Sequence, residues 1–191
     1  MTARPHHEIE GSTGYQLAPI TNKAALRWIA ETHRHLPYLQ GALFAAAIKS
    51  ADQIVGVATA GRGPRVWEGT GKIVISRVAA LPGLPMITCR RGNTHAAPVC
   101  TMLYRALTNA AADLGYREAW SYTMPGEDGR SLRAAGFWYR GETRDEDWDR
   151  PSRSRTAAFP GAKGRWMKPL TREAWRALEI ELEAETQKEA A

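Results

Sequence analysis

Cysteine is scarce in this chain: Cys89 and Cys100 are the only two in 191 residues. Two thiols cannot form a disulfide framework, and the paired Cys/His spacings that hold zinc are missing. The expected setting is a reducing cytoplasm with both thiols free and no bound metal. Long apolar runs are also missing. No stretch approaches 18 apolar residues, so nothing reads as a membrane span. The opening segment MTARPHHEIEG lacks the apolar core of a signal peptide. Its His6-His7 pair is too short for a metal tract, and residues 1–13 read as a flexible lead-in. There is no internal repeat. No helix-turn-helix, zinc-finger or RNA-recognition pattern supports specific reading of bases.

What is present points to one folded domain. Hydrophobic residues make up 43% of the chain, enough for a real core, and charged residues 24%. The length suits one domain of about 150 residues plus tails. Seven tryptophans imply large buried or stacking surfaces. The net charge of +6 favours anionic partners such as nucleic acid or a phosphorylated cofactor. A general preference for arginine explains it equally well.

Residues 15–20 read as a first strand. A helix follows over 21–36, capped by Thr21 or Asn22, with Leu26, Trp28 and Ile29 on its apolar face and Pro37 ending it. Residues 41–50 and 52–62 read as two strands joined through Ser50, Ala51 and Asp52. GKIVISRVAAL (71–81) is a strand rich in β-branched residues. After a broken stretch, a helix runs from about Pro98 to Leu114, and Gly115 provides a left-handed stop. Residues 117–124 form a strand, 128–136 a short helix ending at Gly136, and FWYRGE a further strand. The order predicts an α/β fold with one mixed, mostly antiparallel sheet. Residues 143–169 break the pattern, with acidic Asp145, Glu146, Asp147 and Asp149 ahead of a basic, Pro/Gly-containing stretch. Residues 171–189 read as an amphipathic helix capped by Thr171. The divisions are therefore 1–13 as lead-in, 14–169 as the domain, and 170–191 as a C-terminal helix and tail.

The loop RRGNTHAAPV (90–99) precedes the third long element. Small residues entering a helix present free backbone N–H groups, and the helix dipole adds partial positive charge. A phosphate is the natural occupant, with Arg90 and Arg91 adding charge-assisted contacts. An ordinary polar loop is the alternative.

The strand VISRVAAL, this loop with its helix, and SLRAAGFW (131–138) together resemble the GNAT superfamily of acyl-CoA-dependent N-acyltransferases over roughly residues 15–140. HRHLP (33–37), EDGRSLRAAGF and WDRPSRSR (148–155) further resemble a GNAT-like family of phages and prophages. Some phage GNAT-like enzymes modify DNA bases. The resemblance implies a central sheet splayed in its middle and an acetyl-CoA or other acyl-CoA cofactor. It assigns the pyrophosphate to Arg90, Arg91, Gly92, Asn93, Thr94, His95, Ala96 and Ala97, with Thr94 where the family commonly has glycine. It places the thioester along Val78, Ala79 and Ala80. Its usual acid, a tyrosine four residues before Gly-Phe, is replaced here by Leu132.

Acyl transfer to an amine needs a base for the amine, a donor for the carbonyl oxygen and an acid for the departing thiolate. Ser131 and Tyr122 are the substitute hydroxyls. Their alternatives are stabilising the short helix and packing in a strand. Glu127, just past a strand's C-terminal end, is placed to act as a base; its alternative is a charge favoured by a helix N-terminus. His33 and His35 border the expected acceptor pocket, or simply favour a helix C-terminus. Tyr104 reads as packing. Arg150, Arg153, Arg155, Lys163 and Arg165, interleaved with Trp148, Phe159 and Trp166, suit a nucleic-acid backbone and exposed bases. Pairing with the acidic run is the alternative. Two functions follow: an N-acetyltransferase acting on an amine, with a nucleic acid or modified nucleobase as one such acceptor, or a GNAT-fold protein that binds nucleic acid without catalysis. An interaction protein using helix 171–189 is a third.

Overall fold

The computed structural model describes residues 14–33, 41–84, 87–88, 94–95, 98–143 and 161–189. Thr21 caps α1 (Asn22–Thr32), its hydroxyl accepting from the Ala24 amide at 3.2 Å. The helix stops earlier than Pro37 predicts. The Thr32 hydroxyl turns back to the Trp28 carbonyl at 2.7 Å, and His33 leaves the helix with extended backbone. A threonine side chain bonding to the preceding turn competes with continued helix.

Strand β1 (Tyr15–Ala18) pairs with β2 (Phe44–Ser50), which turns through Ala51-Asp52 into β3 (Gln53–Arg62). Among the described residues Ala51 is the one non-glycine with positive φ, 49°, as a tight two-residue hairpin turn requires. Strand β3 pairs with β4 (Lys72–Ala80), and β4 runs parallel to β7 (Glu118–Thr123). Between them come the two-residue strands β5 (Ile87–Thr88) and β6 (Thr94–His95), paired antiparallel, and α2 (Val99–Asp113). The chain continues through α3 (Arg130–Ala134), β8 (Trp138–Glu142), β9 (Gly164–Pro169) and α4 (Arg172–Glu189). The main sheet has the order β1-β2-β3-β4-β7-β9-β8.

Strand β3 is buried along most of its length because helices cover both its faces. Ala47 and Val57 pack with Ala25 and Ile29 of α1. Their strand neighbours Ile48 and Ala58 point the other way, into the core built on Val99, Leu103 and Leu107 of α2. Gly56 lets α2 approach closely: a Cβ there would collide with the Val99 side chain and sit 3.2 Å from Leu103 Cδ1. The start of α2 is thereby held against the sheet.

Strand β9 corrects the reading of residues 143–169 as irregular. It lies inside the sheet, between β7 and β8. Trp166 is only 2% exposed, its indole N–H donating to Thr123 Oγ1 at 3.0 Å. It is therefore a core residue and not a platform for bases. Lys168 is half-buried and donates to Thr108 Oγ1 and to the Ala135 carbonyl. Trp138 pairs with Met167 and touches Trp175 of α4, while the next residue, Tyr139, lies against Trp166. Since successive strand residues face opposite sides, α4 covers the face away from the α2 core.

Candidate active site

The site begins where two strands part. β4 and β7 pair at Lys72–Glu118, Ile73–Ala119 and Val74–Trp120, and the ladder stops there. Just beyond, the β3–β4 register jumps: Thr59 faces Arg77 and Ala60 faces Ile75, leaving Ser76 without an opposite residue. A bulge bends its strand and increases its twist, which turns β4 away from β7. The expected splay is therefore present and has a local cause.

The opening is a cleft of about 790 Å³. Residues 74–78 of β4 form one wall. Residues 121–123 of β7 and the following turn form the other, with Cys100 and Tyr104 of α2 and Ser131 and Leu132 of α3 alongside. Helix α2 starts from Pro98, which makes no side-chain cap bond, and the first-turn amides of a helix have no acceptor within the helix itself.

Several residues singled out in the sequence converge here. Tyr122, Glu127, Ser131, His33, Lys163 and Val78 all line the cleft. Tyr122 is half-buried, and burial pushes its phenol up while Arg165 acts in the opposite direction. The Glu127 carboxylate is exposed and accepts from the Met124 amide at 2.8 Å, holding the turn after β7. Asp128 is engaged with Arg130, through its backbone amide at 2.9 Å and its side chain at 3.5 Å. Ser131 is not a cap: Gly129 occupies that position of α3, with no side-chain cap bond.

Other positions fall differently. Ala79 and Ala80 continue β4 opposite Val57 and Gly56, outside the cleft lining. Thr94 and His95 form a strand in place of an open loop. Arg90, Arg91, Gly92, Asn93, Ala96, Ala97, His35, Arg150, Arg153 and Arg155 lie outside the described residues. Arg165 is exposed and donates to the Arg140 carbonyl at 2.7 Å. Leu132 is 1% exposed and belongs to the core.

Two cleft residues were missed. Arg77 is half-buried, its guanidinium donates to the Ser76 carbonyl at 2.7 Å, and burial lowers its pKa from the usual arginine value. A charge inside the apolar run VISRVAA was the available signal. Tyr104 packs edge-on against Phe137, ring centroids 5.5 Å apart, as a packing residue would. Yet its phenol also interacts with the Ser121 side chain. The Ser121 hydroxyl donates onward to the Ile75 carbonyl. Burial foremost, with the charges of Cys100 and Glu127, pushes the Tyr104 phenol far above the ordinary tyrosine range against the Ser121 interaction.

No protein-family profile and no curated sequence matches the chain. Solved structures do. An N-acetyltransferase from Staphylococcus aureus Mu50 superposes with a TM-score of 0.57 at 9% identity, covering 82% of this chain and 99% of that one. A Bacillus subtilis acetyltransferase in complex with CoA gives 0.53 at 14% identity, covering 82% and 98%. A GNAT-superfamily phosphinothricin acetyltransferase from Sinorhizobium meliloti, in complex with AcCoA, gives 0.57 at 12% identity, covering 82% and 89%. The chain has the fold of the GNAT acetyltransferases.

Proposed function

We propose that the protein is an acyl-CoA-dependent N-acetyltransferase. The observation that carries this reading is the cleft opened after Val74, with the N-terminal half of α2 alongside it. Its volume lies within the few hundred to about 1,000 Å³ usual for a small-molecule site. The residues fit an acyl-CoA. The splayed wall of β4 and Val78 would hold the pantetheine arm. The first turn of α2, with Arg90 to Ala97 ahead of it, would receive the pyrophosphate. A bound acyl-CoA supplies an acyl carbon activated as a thioester.

The chain's own groups serve the remaining needs. Glu127 or His33 accepts the proton of the attacking amine, Glu127 from the turn it holds beside the cleft. Tyr122 and Ser131 present hydroxyls to the reacting centre, and Arg77 adds a fixed positive charge on β4. These groups occupy one cavity, so no large rearrangement is needed to bring them to a common substrate. The acceptor is an amine. Lys163 in the cleft and Arg165 beside Tyr122 favour an acceptor carrying negative charge, and a nucleic acid or modified nucleobase, as in phage-type DNA modification, is one such acceptor.

Calorimetry with acetyl-CoA tests the reading. Micromolar, saturable binding is expected, weakened at least tenfold in Arg91→Glu. Absence of any CoA binding would overturn it. One observation favours a second reading, a GNAT-fold protein that binds nucleic acid without catalysis: the position of the usual acid holds Leu132, buried in the core. That reading expects salt-sensitive nucleic-acid binding indifferent to CoA.

A further inference from the structure

Helix α3 separates the cleft from a second, open pocket of about 700 Å³. Residues 130–132 line the cleft, residues 133–136 line the second pocket, and the two share no lining residue.

The second pocket is one-sided in charge. Arg105, Arg133 and Lys168 line it, and among the described residues no Asp or Glu does. All three cations contact neutral groups. Arg105 Nη2 donates to the Ala134 carbonyl at 2.9 Å. Lys168 Nζ donates to Thr108 Oγ1 at 3.1 Å and to the Ala135 carbonyl at 2.9 Å. The Arg133 guanidinium lies 5.1 Å from the Trp166 ring centroid. Like charges crowded into one concavity repel, and Lys168 registers this: burial first, then Arg105, lowers its pKa.

A structural role explains part of this cluster. Arg105 and Lys168 satisfy carbonyls at the C-terminal end of α3, where cations are favoured. Arg133 has no such role, and one carbonyl occupies only one of the five N–H donors of a guanidinium. The same pocket is lined by two tryptophans, Trp138 and Trp175, each 41% exposed and in edge-on contact, centroids 6.2 Å apart. Cations with no carboxylate beside them among the described residues call for an anion, and exposed indole faces call for a planar ring.

We propose that this pocket binds a free nucleotide, with phosphate at Arg105, Arg133 and Lys168 and its heteroaromatic ring on Trp138 and Trp175. The size of the pocket suits a mononucleotide and not a macromolecular surface. The nucleotide half of a cleft-bound CoA has the same chemistry, so the test must separate the two sources. The proposal does not rest on the acyltransferase reading.

Calorimetry on the full chain with AMP, adenosine and inorganic phosphate provides the test. AMP should bind at least tenfold tighter than either fragment, and more weakly as salt rises. Arg133→Glu should cut AMP affinity tenfold or more and leave acetyl-CoA binding unchanged. Trp175→Leu, at an exposed ring on α4, should weaken AMP and leave phosphate alone, which keeps the test informative if Arg133→Glu folds poorly. Lack of AMP binding, or indifference to both substitutions, would overturn the proposal. Displacement of AMP by acetyl-CoA would also overturn it, assigning the pocket to the cleft ligand. Failure of acetyl-CoA itself to bind would count against the acetyltransferase reading and leave this one standing.

Discussion

Ser121 and Ile75 are joined across the point where the sheet opens: the serine hydroxyl donates to the Ile75 carbonyl at 3.2 Å, one residue past the last β4–β7 pair. Side-chain bonding takes over where the backbone ladder ends. With Tyr104 interacting with the same serine, three elements meet at the vertex of the cleft.

Ser121→Ala should therefore cost more than one surface hydrogen bond. It leaves the Ile75 carbonyl in buried surroundings without this partner, a penalty of about 2 kcal/mol. Urea unfolding should show a lower midpoint with an unchanged slope. A loss under about 0.5 kcal/mol would mean that the network does not hold the vertex.

Tyr104 gives the fold a dependence on alkaline pH. Its phenol is pushed up chiefly by burial, while an unfolded tyrosine ionises near pH 10. Above that pH the unfolded chain releases a proton that the folded chain retains. The stability from this group is complete below about pH 10 and is lost as pH rises beyond it, by about 1.4 kcal/mol per unit. Compared with Tyr104→Phe, the wild type should lose stability more steeply between pH 10 and 11.5 by that slope. Parallel profiles would assign the burial effect to another group.

The seating of α4 depends partly on charge. Arg140 Nη2 lies 2.7 Å from Glu181 and 3.1 Å from Glu185, with the arginine side chain 13% exposed and both glutamates 58%. Solvent at the carboxylate ends limits the cluster to about 1 kcal/mol. The double variant Glu181→Gln, Glu185→Gln should lose that amount at low salt and match the wild type in 1 M NaCl, where screening acts within about 3 Å. A difference that persists in high salt would indicate packing rather than charge.

Much of this fold was legible as local pattern. Thr21, Gly115 and Gly136 mark helix ends that the structure keeps, and the hairpin at Ala51-Asp52 turns as read. Strand β9 was not legible, because a lysine in an interior strand signals surface until its partners are known. Those partners, Thr108 and Ala135, lie 60 and 33 residues away. The site divides in the same way. Tyr122, Glu127 and Ser131 sit within ten residues of one another and were found together. His33 arrives from the far side of the sheet and was placed by resemblance alone. Tyr104 was underestimated because its ring and its hydroxyl do different things, and only the ring leaves a trace in helical periodicity.

The insertion of β9 between β7 and β8 also orders events during synthesis. The first four strands, α1 and α2 close on neighbours already made. Strand β7 has only three residues of pairing with β4, and β8 has no partner until residues 164–169 emerge. A nascent chain halted near residue 160 would expose two open strand edges, the kind of surface that seeks pairing in other chains. Completion of the half of the sheet beyond the cleft and protection from aggregation are thus the same late step.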